Sequence, residues 1–167
     1  MSRSSFACGT FLDYTLYMSL LTSHTCSHQG CRCHRVLIVD DEPGILFAYR
    51  KLLEQQGLIV DSCDCLCEAL DYLEKHQYLA VVADMRLQGV DTVDGLDLVR
   101  EVRRLQPETG VIVASGTSDR NTRQAASDLG VDHYLEKPVH PAFVLDLLIQ
   151  LRDSVNGEKM LPVLEAE

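Results

Sequence analysis

Apolar and polar positions in this chain fall into two alternating rhythms. Short, β-branched apolar runs appear in VLIV (36–39), LIVDS (58–62), YLAVVAD (78–84), VIVAS (111–115) and VDHYLEK (131–137). Between them lie stretches in which apolar residues recur every three or four positions, as Ile45, Leu46, Tyr49, Leu52 and Leu53 do, or Leu66, Ala69, Leu70 and Leu73. The first rhythm predicts strands and the second amphipathic helices. Breakers agree with the division: Pro43 near a helix start, Gly57 just after its end, Pro107 stopping the third helix and Gly130 the fourth. The last helix is read in PAFVLDLLIQLRDSV, leaving NGEKMLPVLEAE as a tail.

Five strands alternating with five helices, the strands written as continuous apolar runs, predict an α/β fold. Its sheet is parallel, doubly wound and covered by helices on both faces. Crossovers in such folds are right-handed, and functional sites lie beyond the carboxyl ends of the strands, near a switch in strand order. Those ends read Asp40 and Asp41, then Asp84, then Ser115, then Lys137. Three carboxylates, a hydroxyl and an ammonium are therefore expected at one rim.

Composition narrows the picture. A chain of 167 residues, 46% hydrophobic and 24% charged, suits one soluble domain with a few dozen residues to spare. The net charge of −10 disfavours a nucleic-acid surface or an anionic membrane, where cationic contacts carry the binding. Near the start, FLDYTLYMSLL is interrupted by Asp13 and falls short of the ~20 residues of a membrane helix. Arg3 alone is a thin basic region for a secretory signal, so the reading is a cytoplasmic protein. Seven Cys, an odd number in two clusters, do not resemble a disulfide framework.

Carboxylates gathered at one rim either raise one another's pKa or bind a cation. Oxygen donors in small number suit a hard ion such as Mg²⁺. Lys137 adds a positive charge able to stabilise phosphoryl oxygens, and Ser115 a hydroxyl able to donate to them. A carboxylate held beside such groups is positioned to attack phosphorus and form an aspartyl phosphate. Asp84, alone at the end of its strand, is the candidate nucleophile. The paired Asp40 and Asp41 are the candidate metal ligands, Asp41 directly and Asp40 through water.

VLIVDDEP, VVADMRL, VIVASG and HYLEKP, in that order, resemble the receiver (phosphoacceptor) domain of two-component response regulators, over roughly residues 35–155. The resemblance implies a flavodoxin-like five-stranded fold and Mg²⁺-dependent phosphoryl transfer from a histidine kinase or histidine phosphotransfer protein. It implies Asp84 as phosphoacceptor, Asp40 and Asp41 in the metal site, and a metal contact from the Arg86 backbone carbonyl. Ser115 and Lys137 would touch the phosphoryl group, and Tyr134 matches the aromatic switch position. Movement of Ser115 and Tyr134 would then alter the face formed by the fourth helix, fifth strand and last helix. With only about a dozen residues after the last helix, the expectation is a stand-alone signalling module, not an enzyme, whose output is a partner protein.

Some features depart from that pattern. The segment RLQGVDTVDG after Asp84 lacks a Pro and is longer than the family's common form; with Gly95 as the matching glycine, GVDT is an insertion. Arg86 and Thr117 occupy positions that influence phosphoryl lifetime in the family. Residues 1–34 are read as an extension, disordered or a misassigned start, although HTCSHQGCRCHR holds three Cys and three His. Cys63, Cys65 and Cys67 are read as small residues packing at the start of the second helix. An Asp-nucleophile phosphatase would need a second Asp where Arg86 stands. A pseudo-receiver, binding a partner without phosphorylation, remains the alternative.

Overall fold

Residues 34–86, 94–116 and 119–156 are described by a computed structural model. The strands are β1 (Arg35–Val39), β2 (Ile59–Cys63), β3 (Ala80–Asp84), β4 (Gly110–Ser115) and β5 (His133–Glu136). Alternating with them are helices α1 (Pro43–Glu54), α2 (Leu66–Lys75), α3 (Asp94–Leu105), α4 (Arg120–Asp128) and α5 (Pro141–Asn156). All strand pairs are parallel, as the alternation predicts, and the order is β2-β1-β3-β4-β5, the flavodoxin-like order that the resemblance implies.

Two cores explain the continuous apolar strands. Val36, Ile38, Val82 and Ile112 face one side, where Tyr49 and Leu53 of α1 and Val144 and Leu148 of α5 cover them. Leu37, Val39, Val81 and Val113 face the other, beneath Leu73 of α2, Val99 of α3 and Ala126 of α4. The apolar positions of β1, β3 and β4 are thus buried under helices on both sides, so neither face alternates with polar residues.

The edge strands differ from the expectation of apolar runs. β2, IVDSC, lies one residue later than LIVDS and carries Asp61 and Ser62, and β5 has no fully buried residue. Having a free side, an edge strand tolerates polar positions that a central one does not. Asp61 is used: its Oδ2 accepts from Arg35 Nη1 of β1 at 2.6 Å and from Tyr78 Oη at 2.7 Å. Gly57 and Gly130 take φ of 77° and 79° just after α1 and α4, the left-handed turn that ends a helix. No helix among the described residues is long and apolar enough to cross a membrane. The extension before residue 34, the insertion GVDT, Thr117 and the tail from 157 lie outside the described residues.

Candidate functional site

Strand register brings the acidic residues together. Val39 of β1 pairs with Ala83 of β3, so the next residues, Asp40 and Asp84, emerge side by side where the strand order reverses. Both are buried, at 4% and 8% exposure. On the far side β4 pairs with β5 through Ser115 and Glu136, and the Lys137 amide donates to the Ser115 carbonyl at 2.8 Å. This anchors the chain so that the Lys137 side chain turns back over the rim. Its Nζ lies 2.9 Å from Asp84 Oδ2 and 3.3 Å from Asp40 Oδ2.

The electrostatics follow from burial. Loss of water pushes the Asp40 carboxyl above the usual carboxylate range, against the opposing pull of the Glu42 amide and Lys137. Asp40 Oδ1 accepts that Glu42 N–H at 2.9 Å, which also fixes the turn into α1. Burial of Lys137 would lower its pKa, but its hydrogen bond to Asp84 and the charges of Asp40 and Asp84 outweigh this and hold the ammonium above its ordinary value.

Carboxylate oxygens of Asp40, Asp41 and Asp84 lie within 4.8 Å of one another. One ammonium cannot balance three carboxylates, and an all-oxygen donor set with one half-exposed member fits a hard, partly hydrated cation such as Mg²⁺.

The other predicted positions are distributed around this centre. Arg86 is exposed, and its amide donates to Asp84 Oδ1 at 3.3 Å. Ser115 is buried at 1% exposure at the end of β4, the strand beside β3. Tyr134 lies one strand further out, half-buried against the core beneath α4. The structure therefore brings Asp40, Asp41, Asp84 and Lys137 into one cluster, with Arg86 joined through its backbone and Tyr134 set apart in β5.

Two neighbours escape the sequence reading. Tyr49 of α1 stands near enough to Asp40 that burial, then the Asp40 charge, raise its phenol pKa; its helical spacing marked it only as core. Arg123 of α4 holds its guanidinium 5.0 Å from the Tyr134 ring centroid and pairs with Glu136 at 2.6 Å, a contact that no local pattern reveals. Gly95, already singled out by the sequence, has no room for a side chain: a Cβ there would meet Met85 Cα at 2.7 Å and Asp84 O at 2.9 Å. A cavity of about 470 Å³ also opens beside the cluster, between α1 and residues 137–141, with Ile38, Ile45, Ala48 and Val82 among its walls.

Comparison with known proteins agrees with this fold. The response regulator receiver domain profile matches residues 36–149. The transcriptional regulatory protein GlrR of Escherichia coli (strain K12) is 32% identical over 104 residues, 62% of this chain and 23% of that protein. The chain thus spans about a quarter of the length of this curated relative. An uncharacterized 14.6 kDa protein of Leptolyngbya boryana is 34% identical over 117 residues, 69% of this chain and 87% of that protein. Among solved structures, a CheY-like receiver domain protein from Methanospirillum hungatei JF-1 superposes with TM-score 0.68 at 26% identity, over 75% of this chain and 98% of that one. A response regulator from Burkholderia pseudomallei, solved with a phosphorylated aspartic acid, calcium ion and citrate, gives TM-score 0.63 at 27% identity, over 75% and 72%.

Proposed function

The chain belongs to the response regulator receiver domain family, and on that premise we propose that it accepts a phosphoryl group on Asp84 from a histidine kinase or histidine phosphotransfer protein. The observation that carries the reading is Lys137 Nζ at 2.9 Å from Asp84 Oδ2, within a group of three carboxylates at the strand-order reversal. The aspartate of the Burkholderia pseudomallei relative, phosphorylated in a crystal containing calcium, supports the same chemistry here.

In this reading an Asp84 oxygen attacks the phosphorus of a phosphohistidine in line. The O–P bond forms as the P–N bond breaks, and the imidazole leaves neutral, its other nitrogen carrying the proton. Asp41, the most open of the three carboxylates, and Asp84 would hold Mg²⁺, with Asp40 acting through water and the Arg86 carbonyl completing the protein ligands. A bound Mg²⁺ neutralises charge on the phosphoryl oxygens and aligns them with the nucleophile. Lys137 exchanges its Asp84 partner for a phosphoryl oxygen, and Ser115 donates its hydroxyl to another.

Phosphorylation adds about two negative charges, and drawing Ser115 toward them opens space for Tyr134 to turn. The face of α4, β5 and α5 then changes its affinity for a separate output protein. We assign it to the cytoplasm, where the ATP that charges histidine kinases is found. Transfer from a panel of phosphorylated histidine kinases tests the reading: label should reach the wild type in the presence of Mg²⁺ and not Asp84→Ala. Label accepted equally by Asp84→Ala would overturn it.

A further inference from the structure

The three cysteines around β2 and α2 do not share one role. Cys63, at the end of β2, is buried against Leu73 and Val39, as expected of a small packing residue. Cys65 is only half-buried and Cys67 is exposed, so core packing does not explain them. Their sulfurs approach to 2.9 Å just where α2 begins. Asp64 and Glu68 flank the pair, and one oxygen of each lies within 4.8 Å of the other and of the Cys65 sulfur. Among the described residues neither carboxylate has an ion-pair partner, unlike Asp61 nearby, which is held by Arg35.

We propose that Asp64, Cys65, Cys67 and Glu68 form a binding site for a thiophilic divalent cation of the zinc class, separate from the carboxylate cluster at Asp84. Two thiols at touching distance beside two unpaired carboxylates are the donor set of a borderline-soft ion, whereas the all-oxygen cluster suits a hard one. A disulfide would use the sulfurs and leave the carboxylates unexplained. A cation held by both sulfurs and one of the two carboxylates, with water completing the tetrahedron, accounts for them; Asp64, Cys65 and Glu68 already lie within 4.8 Å of one another, and Cys67, which adjoins that group through the Cys65 sulfur alone, joins by turning its exposed side chain. Binding is a ligand exchange without redox change: each thiol gives its proton to solvent, two metal–sulfur bonds and one metal–carboxylate bond form, and all but one of the ion's waters leave it. Cys63 joins the two sites through the backbone, since its carbonyl accepts the Asp40 amide at 3.2 Å.

The test is titration of the reduced full chain with Cd²⁺ under a non-thiol reductant, following the ultraviolet band of thiolate–cadmium charge transfer. Cys8, Cys26, Cys31 and Cys33 are replaced by Ser in one background, so that thiols of the first 33 residues contribute nothing. In that background one equivalent should bind with the intensity of two thiolates, releasing two protons, and a chelator should reverse it. Cys65→Ser with Cys67→Ser should abolish the band while the thermal transition without metal stays in place. Glu68→Gln should weaken binding by about tenfold at unchanged stoichiometry, within the range for lost metal-site partners. A band that survives the double cysteine change, or never appears, overturns the proposal, as do two thiols lost without metal and recovered only by reductant.

Discussion

Lys137 is the residue on which the rim balances. Its ammonium stands between two buried carboxylates, at 2.9 Å from one and 3.3 Å from the other. Removing it as Lys137→Ala leaves both without their counter-charge in a water-poor site, and a buried polar partner left unpaired costs about 1–3 kcal/mol. Urea unfolding should show that loss in metal-free buffer, with part of it recovered on adding Mg²⁺, because the cation takes over the neutralising role. Gly95 is the second single-residue test. Its missing Cβ is what lets α3 start against the backbone of Asp84 and Met85. Gly95→Ala forces those backbones apart, so stability should fall by about 1–3 kcal/mol, as in other overpacked sites. Phosphorylation of Asp84 should slow as well, since the strand end carrying it must move. A variant as stable and as active as wild type would show that this close approach matters to neither.

Among the elements, β1, β2 and the segment leading into β3 are tied by one carboxylate, Asp61, which accepts from Arg35 and Tyr78. Burial first, then the hydrogen bond to Asp61, raise the Tyr78 phenol above its ordinary pKa. A group whose folded pKa is raised adds stability that is complete below its unfolded value and is lost as pH climbs beyond it. Tyr78→Phe should therefore cost about 1–2 kcal/mol near neutrality. The difference from wild type should shrink above the unfolded tyrosine value of about 10. A difference that stays constant into the alkaline range contradicts this.

At the same scale the chain was unevenly legible. β1, β3 and β4 stand out because both their faces are buried, and their terminal Asp40, Asp84 and Ser115 are visible as abrupt ends to apolar runs. β2 was displaced by one residue, because Asp61 and Ser62 break the apolar signal and their partners Arg35, Tyr78 and Arg50 lie elsewhere in the chain. Arg123 was invisible for the same reason: its contacts with Tyr134 and Glu136 exist only once α4 lies beside β5. The distance from Lys137 to Asp84 is likewise a product of the crossover, although the order of strand ends anticipated that they would meet.

For the molecule as a whole, the balance of charge is acidic, with 25 Asp and Glu against 15 Lys and Arg. Three carboxylates in one cluster add to that self-repulsion in the folded state. Any cation bound by the folded state alone must stabilise it, by about 2.7 kcal/mol at one hundred times its dissociation constant. Mg²⁺ should thus raise the melting temperature of the wild type, and raise that of Asp84→Asn clearly less; equal shifts would place the effective cation site elsewhere. The central claim, that this rim takes a phosphoryl group on Asp84, is tested most directly by intact mass spectrometry. The full chain is incubated with Mg²⁺ and a small acyl phosphate, beside Asp84→Asn. The account predicts a single added phosphoryl group on the wild type, lost on exposure to base and absent from the variant. An unmodified wild type, or the same addition on Asp84→Asn, contradicts it.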